Sequence, residues 1–101
     1  MKKIVINDKD SLNNTASLFK NFADSTRMKI LYSLLEKEKN VTEISTELQI
    51  SQSAISHQLN ILKINSLIKN RRDGKTIYYS IADKHVYNII EQGIEHVEEL
   101  I

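Results

Sequence analysis

Four side chains near the end of this 101-residue chain, Asp83, His85, His96 and Glu99, are of the types that bind a divalent metal ion. Two imidazole nitrogens and two carboxylate oxygens make a ligand set suited to tetrahedral zinc. Their spacing decides how they can act together. His85 and His96 are eleven positions apart, about three helical turns plus 20°, so on one helix they share a face. Glu99 lies one turn beyond His96, and Asp83, just outside the helix, can swing toward His85. The result is two half-sites whose midpoints are roughly 20 Å apart along the axis, against metal–ligand bonds of about 2 Å. One helix cannot close them on one ion, whereas an antiparallel copy from a second subunit could, giving two equivalent sites per dimer. A plainer reading stands beside this: Glu95, Glu98 and Glu99 as a solvated helix end, with Glu98 as an alternative to Glu99 if a ligand is needed.

The element that must carry these groups is the segment Asp83 to Ile101. Its apolar residues Val86, Ile89, Ile90, Ile94, Val97, Leu100 and Ile101 recur at three- and four-residue steps, which predicts an amphipathic helix capped by Asp83. Residues 82–101 hold one basic and five acidic side chains, whereas residues 1–81 hold thirteen basic and eight acidic. The tail suits a cation and the body a polyanion. The chain has no cysteine, which excludes disulfides, thiolate metal sites and cysteine nucleophiles. It has no apolar run long enough to cross a membrane, and MKKIVINDKD lacks the apolar core of a signal peptide, so a cytoplasmic protein is expected. No proline, two glycines and no repeat argue for a single domain over 1–101.

The body reads as helices followed by a hairpin. After a loose segment over residues 1–9, a helix over 10–24 shows an apolar face of Leu12, Ala16, Phe19, Phe22 and Ala23. A second, Thr26 to about Lys37, is capped by Asp24 or Ser25 and turns Met28, Ile30, Leu31, Leu34 and Leu35 inward. A third, Val41 to about Leu48, is capped by Asn40 or Thr42, and a fourth opens after Ser51 with QSAISHQLNILKI. Residues 41–63 thus follow the helix-turn-helix pattern. Ile55, Leu59 and Leu62 anchor its second helix. Gln52, Ser53, Ser56, His57, Asn60 and Lys63 face outward with the reach to contact base edges and phosphates. Residues 67–81 read as a wing: strands Leu67–Asn70 and Thr76–Ile81 around an Asp-Gly turn, with Arg71, Arg72 and Lys75 placed to meet phosphates or the minor groove. Alternation puts one of Tyr78 and Tyr79 inward.

FKNFADSTRMKILYSLL, SQSAISHQLNILK and LIKNRRDGKTIYYSI together resemble the opening signature, reading helix and wing of the ArsR/SmtB family of bacterial metal-sensing repressors, over nearly the whole chain. Ser25 stands where the family often has proline. The resemblance implies a mainly α, homodimeric winged helix-turn-helix with a β-hairpin wing, 10–24 and 82–101 as dimerisation helices, and a pseudo-palindromic operator as the partner. The family's sensor subclass with a site on the last helix carries Asp-x-His, ten residues, then His-x-x-His or His-x-x-Glu, which Asp83, His85, His96 and Glu99 match position for position. The sister site of cadmium-, lead- and arsenic-sensing members needs cysteines, and nickel-sensing relatives tend to recruit further histidines. Zinc is therefore the expected ion, with cobalt second, and metal binding is expected to release DNA. The resemblance further implies a relay from a site histidine to a backbone carbonyl around Ser66. A different metal, cobalt or nickel, or a non-metal inducer is the competing reading. A zinc hydrolase is a third, disfavoured because four protein ligands leave no open coordination position. No small organic substrate is expected.

Overall fold

The computed structural model describes residues 3–101, in the order α1 (Ser11–Phe22), α2 (Ser25–Glu36), α3 (Val41–Leu48), α4 (Gln52–Ile64), β1 (Ile68–Asp73), β2 (Thr76–Ile81) and α5 (Lys84–Glu99). Met1 and Lys2, part of the segment expected to be loose, lie outside the described residues; residues 3–7 are irregular and exposed. The helix starts follow from side-chain caps. Asp24 accepts from the Arg27 amide, Ser51 from Ala54 and Asp83 from Val86, while Asn40 and Glu43 form a reciprocal capping box. α2 consequently begins at Ser25, one residue before the expected start.

α4 closes with a paired hydrogen-bond motif: the Leu67 amide donates to the Leu62 carbonyl and the Ser66 amide to that of Lys63. This turn requires Ser66 at φ 61°, and α3 ends in the same manner on Gln49 at φ 56°. A side chain in the left-handed region costs roughly 1–2 kcal/mol, offset in part by the roughly 0.5–1 kcal/mol by which glycine loosens the unfolded chain. Gln49 is exposed and its side chain holds nothing, so Gln49→Gly is expected to stabilise the fold by up to about 1 kcal/mol, read as a raised thermal midpoint.

The core is built where these helices meet: Ile30, Leu31 and Leu34 of α2, Ile44 of α3, Ile55, Leu59 and Leu62 of α4, with Leu67, Ile68, Val86 and Ile90. The apolar positions read from α2, α3 and α4 are thus inward. α1 differs. Of its expected face only Phe22 is buried, whereas Leu12 is 68% and Phe19 50% exposed.

β1 and β2 form one antiparallel hairpin in register from Ile68↔Ile81 to Asp73↔Thr76. β1 is longer than the expected Leu67–Asn70 and shifted by one, because Arg71, Arg72 and Asp73 are paired strand residues rather than loop. An antiparallel hairpin tolerates charge on its solvated face, so the charge run hid the strand. The loop is only Gly74-Lys75, with Gly74 at φ 63° in the first central position, where such a two-residue turn needs a glycine. Lys39, between α2 and α3, adds a short third edge by exchanging two backbone hydrogen bonds with Tyr79, at 2.8 and 3.0 Å.

Candidate nucleic-acid interface and metal ligands

α4 is held by one face and offers the other. Ile55, Leu59 and Leu62 are fully buried, while Gln52, Ser53, Ser56, His57, Asn60 and Lys63 are all exposed, as the 3.6-residue period requires. Its orientation is fixed by a residue the sequence reading missed. Arg27 of α2 donates from Nε to Gln58 Oε1 of α4 at 2.9 Å and from its terminal nitrogen to Asn21 Oδ1 of α1 at 3.2 Å. One guanidinium thus ties three helices together. No local pattern announces it, since the partners are 31 and six positions away.

A second missed group joins the helices to the wing. Lys39 is 4% exposed, and its ammonium donates to Ser33 Oγ at 3.0 Å and Glu47 Oε1 at 2.7 Å. In sequence it sits in EKEKN and reads as one more solvated charge. The Lys39 hydrogen bond, joined by one from Ser33, holds the Glu47 carboxyl below the usual carboxylate range, against the opposing effect of burial. A depressed folded-state value means the stabilisation is present above the unfolded value and is lost as pH falls through the folded one. Wild type should therefore exceed Glu47→Gln in thermal midpoint at neutral pH, with the gap closing on acidification below the usual carboxylate range.

The hairpin's cations divide. Pairing places Lys69, Arg71 and Asp73 on one face with Ser80, Tyr78 and Thr76, and puts Arg72 on the other with Ile77. Arg72 and Lys75 are exposed and make no ion pair among the described residues. Arg71, expected to serve DNA, instead donates from Nε to both carboxylate oxygens of Glu38, at 2.9 and 3.1 Å, and its guanidinium lies 4.9 Å from the centre of the Tyr78 ring. Tyr78 is thus the outward tyrosine, and Tyr79 packs on the core.

At α5, Asp83 Oδ1 lies 3.5 Å from His85 Nδ1 while capping Val86, so these two of the four expected ligands are neighbours. The His85 side chain is 93% exposed. His96 and Glu99 occupy the last turn of α5, both exposed, on the side of the helix that His85 also takes. Among the described residues no three His, Cys, Asp or Glu groups converge on one point, in keeping with the roughly 20 Å between half-sites. The donor set fits a divalent ion only if the halves come from different chains. Beside them runs an open apolar groove of about 440 Å³, lined by Phe19 and Phe22 of α1, Met28 of α2, and Ile89, Ile94 and Val97 of α5.

A reading helix locked on a three-helix core and followed by a basic hairpin defines a winged helix-turn-helix DNA-binding protein. Residues 24–69 match the family model described as bacterial regulatory protein, arsR family. Over 90 residues the chain is 37% identical to a transcriptional repressor SmtB homolog of Synechocystis sp., covering 89% of this chain and 68% of that protein. It is 38% identical over 88 residues to a cadmium resistance transcriptional regulatory protein CadC homolog of Staphylococcus aureus, covering 86% and 73%. The solution structure of a homodimeric winged helix-turn-helix DNA-binding domain from Mycobacterium bovis superposes with a TM-score of 0.85 at 27% identity, covering 98% of this chain and 92% of that one. The chain belongs to the ArsR/SmtB family of bacterial transcriptional regulators, which are not enzymes. None of its helices is long and apolar enough to cross a membrane.

Proposed function

We propose that the protein is a zinc-responsive repressor that holds a pseudo-palindromic operator as a homodimer and lets go when zinc binds between the two copies of α5. The observation that carries this reading is the Asp83–His85 pair at one end of α5 with His96 and Glu99 at the other, beside an uncovered apolar groove. Dimerisation through α1 and α5 accounts for that groove, and two-fold symmetry brings the start of one α5 toward the end of the other. Two α4 helices then occupy successive major grooves, with Gln52, Ser53, Ser56, His57, Asn60 and Lys63 on bases and phosphates and the wings on flanking backbone.

Zinc, when bound, would be held by Asp83 and His85 of one subunit with His96 and Glu99 of its partner, and it supplies a fixed cross-link between subunits rather than a reaction. Joining the α5 helices in this way selects a dimer whose reading heads no longer match the half-site spacing. Release is then a coupling free energy, and by reciprocity DNA must weaken zinc binding. Cysteine is absent, which disfavours the soft-metal chemistry named for the cadmium-resistance relative, while oxygen and imidazole donors suit zinc and, next, cobalt.

The test is fluorescence anisotropy on a duplex selected from a random pool in excess chelator, followed by titration with zinc. Zinc-driven release supports the reading. Retention of DNA at saturating zinc, cobalt and nickel would leave a winged-helix regulator with another inducer.

A further inference from the structure

The Glu38–Arg71 pair has no part in the fold's core or in the metal site, yet it is built with care. Glu38 sits in the turn between α2 and α3, next to Lys39, whose backbone is hydrogen-bonded to Tyr79 of β2. That edge pairing anchors Glu38 beside the hairpin. Arg71 is held from two sides: by both oxygens of Glu38 and by the Tyr78 ring beneath its guanidinium. An ordinary surface ion pair contributes little, because its ends are mobile and water competes. Here a two-oxygen contact on backbone-anchored partners removes much of that mobility. The Arg71 hydrogen bond holds the Glu38 carboxyl below its usual range, and the same bond raises the guanidinium further.

On this face of the wing Arg71 is paired with Glu38, while Lys69 makes no ion pair among the described residues. On the rest of the hairpin Arg72 and Lys75 are unmatched. We propose that Glu38 is a brake on DNA binding: by holding Arg71 it withholds one wing cation from DNA phosphates and so sets the protein's affinity for duplex DNA. Removing the brake returns one phosphate contact per subunit.

The inference rests on the hairpin meeting DNA, and the test separates the two ideas. Affinity for a random-sequence duplex about three helical turns long is measured between 50 and 200 mM salt, because phosphate contacts are sequence-independent and each adds about 0.9 to the salt slope. Glu38→Gln is expected to bind more tightly, with a slope steeper by about 0.9 per subunit, so that its advantage over wild type is about threefold larger per subunit at 50 than at 200 mM. Glu38→Gln/Arg71→Gln is expected to return to the wild-type affinity and slope. Arg72→Gln, in contrast, should flatten the wild-type slope.

An unchanged slope in Glu38→Gln, or weaker binding, overturns the proposal and makes the pair a strut for the wing. A gain that survives in the double variant also overturns it, since the gain would then come from the lost negative charge and not from Arg71. If wild type binds no duplex at all, the DNA-binding reading fails and the brake falls with it. Matching circular dichroism spectra of all four proteins guard against misfolding.

Discussion

His96→Ala is expected to bind operator DNA as wild type does and to stay bound at zinc concentrations that strip the wild type. Coupling between sites of this kind amounts to about 1–3 kcal/mol, or a 5- to 150-fold loss of DNA affinity on metal binding. In the variant that ratio should collapse to about one. The asymmetry follows from where His96 sits. It is exposed in the last turn of α5, outside the buried face formed by Val86 and Ile90 and on a different element from the reading helix and wing. Truncating it empties neither the core nor the DNA face. Anisotropy titrations with and without zinc read both quantities, and loss of DNA binding in the variant without metal would contradict the assignment.

Val97→Glu is expected to leave the subunit folded but to abolish both operator binding and the zinc response. Val97 is 56% exposed in the single chain and lines the groove between α1 and α5, where Ile94 and Phe19 are also incompletely covered. A carboxylate there costs the isolated subunit little. In a dimer it would be buried without a partner, which costs several kcal/mol per copy. A monomer engages one half-site at a time and forfeits the avidity of two linked reading heads, about 10²- to 10⁴-fold. Sedimentation should show a monomer with a near wild-type melting temperature, and anisotropy a corresponding loss of operator affinity. A dimeric Val97→Glu that still bound DNA would place the subunit interface elsewhere.

Much of this architecture is legible in the chain because it is local. The caps Asp24, Asn40, Ser51 and Asp83 act within three residues, and the buried faces of α2, α3 and α4 follow a 3.6-residue period. The wing's length was not legible. Arg71, Arg72 and Asp73 form a charged run that ends in a poor strand former, Asp73, and are held in register by their partners on β2. Nor were the side-chain ties: Arg27 to Gln58, Lys39 to Ser33 and Glu47, and Arg71 to Glu38 join positions that only the fold makes neighbours. The last of these pairs Arg71, expected as a free DNA-binding cation, with a carboxylate in the unbound protein. Of the expected metal ligands, Asp83 and His85 stand at the start of α5 and His96 and Glu99 in its last turn, as their spacing dictates, and among the described residues no three such groups meet within one subunit.

The central claim, that each metal site is shared between two subunits, has a direct test by complementation. His85→Ala and His96→Ala homodimers each carry two broken sites. In their heterodimer one site loses both histidines, but the other combines Asp83 and His85 from the His96→Ala subunit with His96 and Glu99 from the His85→Ala subunit. The measurement is zinc binding by competition with a chromophoric chelator, on each variant alone and on an equimolar mixture after subunit exchange. The shared-site account predicts no tight zinc in either parent and restored tight binding in the mixture, at one ion for each heterodimer. A mixture as empty as its parents, or either variant holding zinc at full stoichiometry alone, would contradict it.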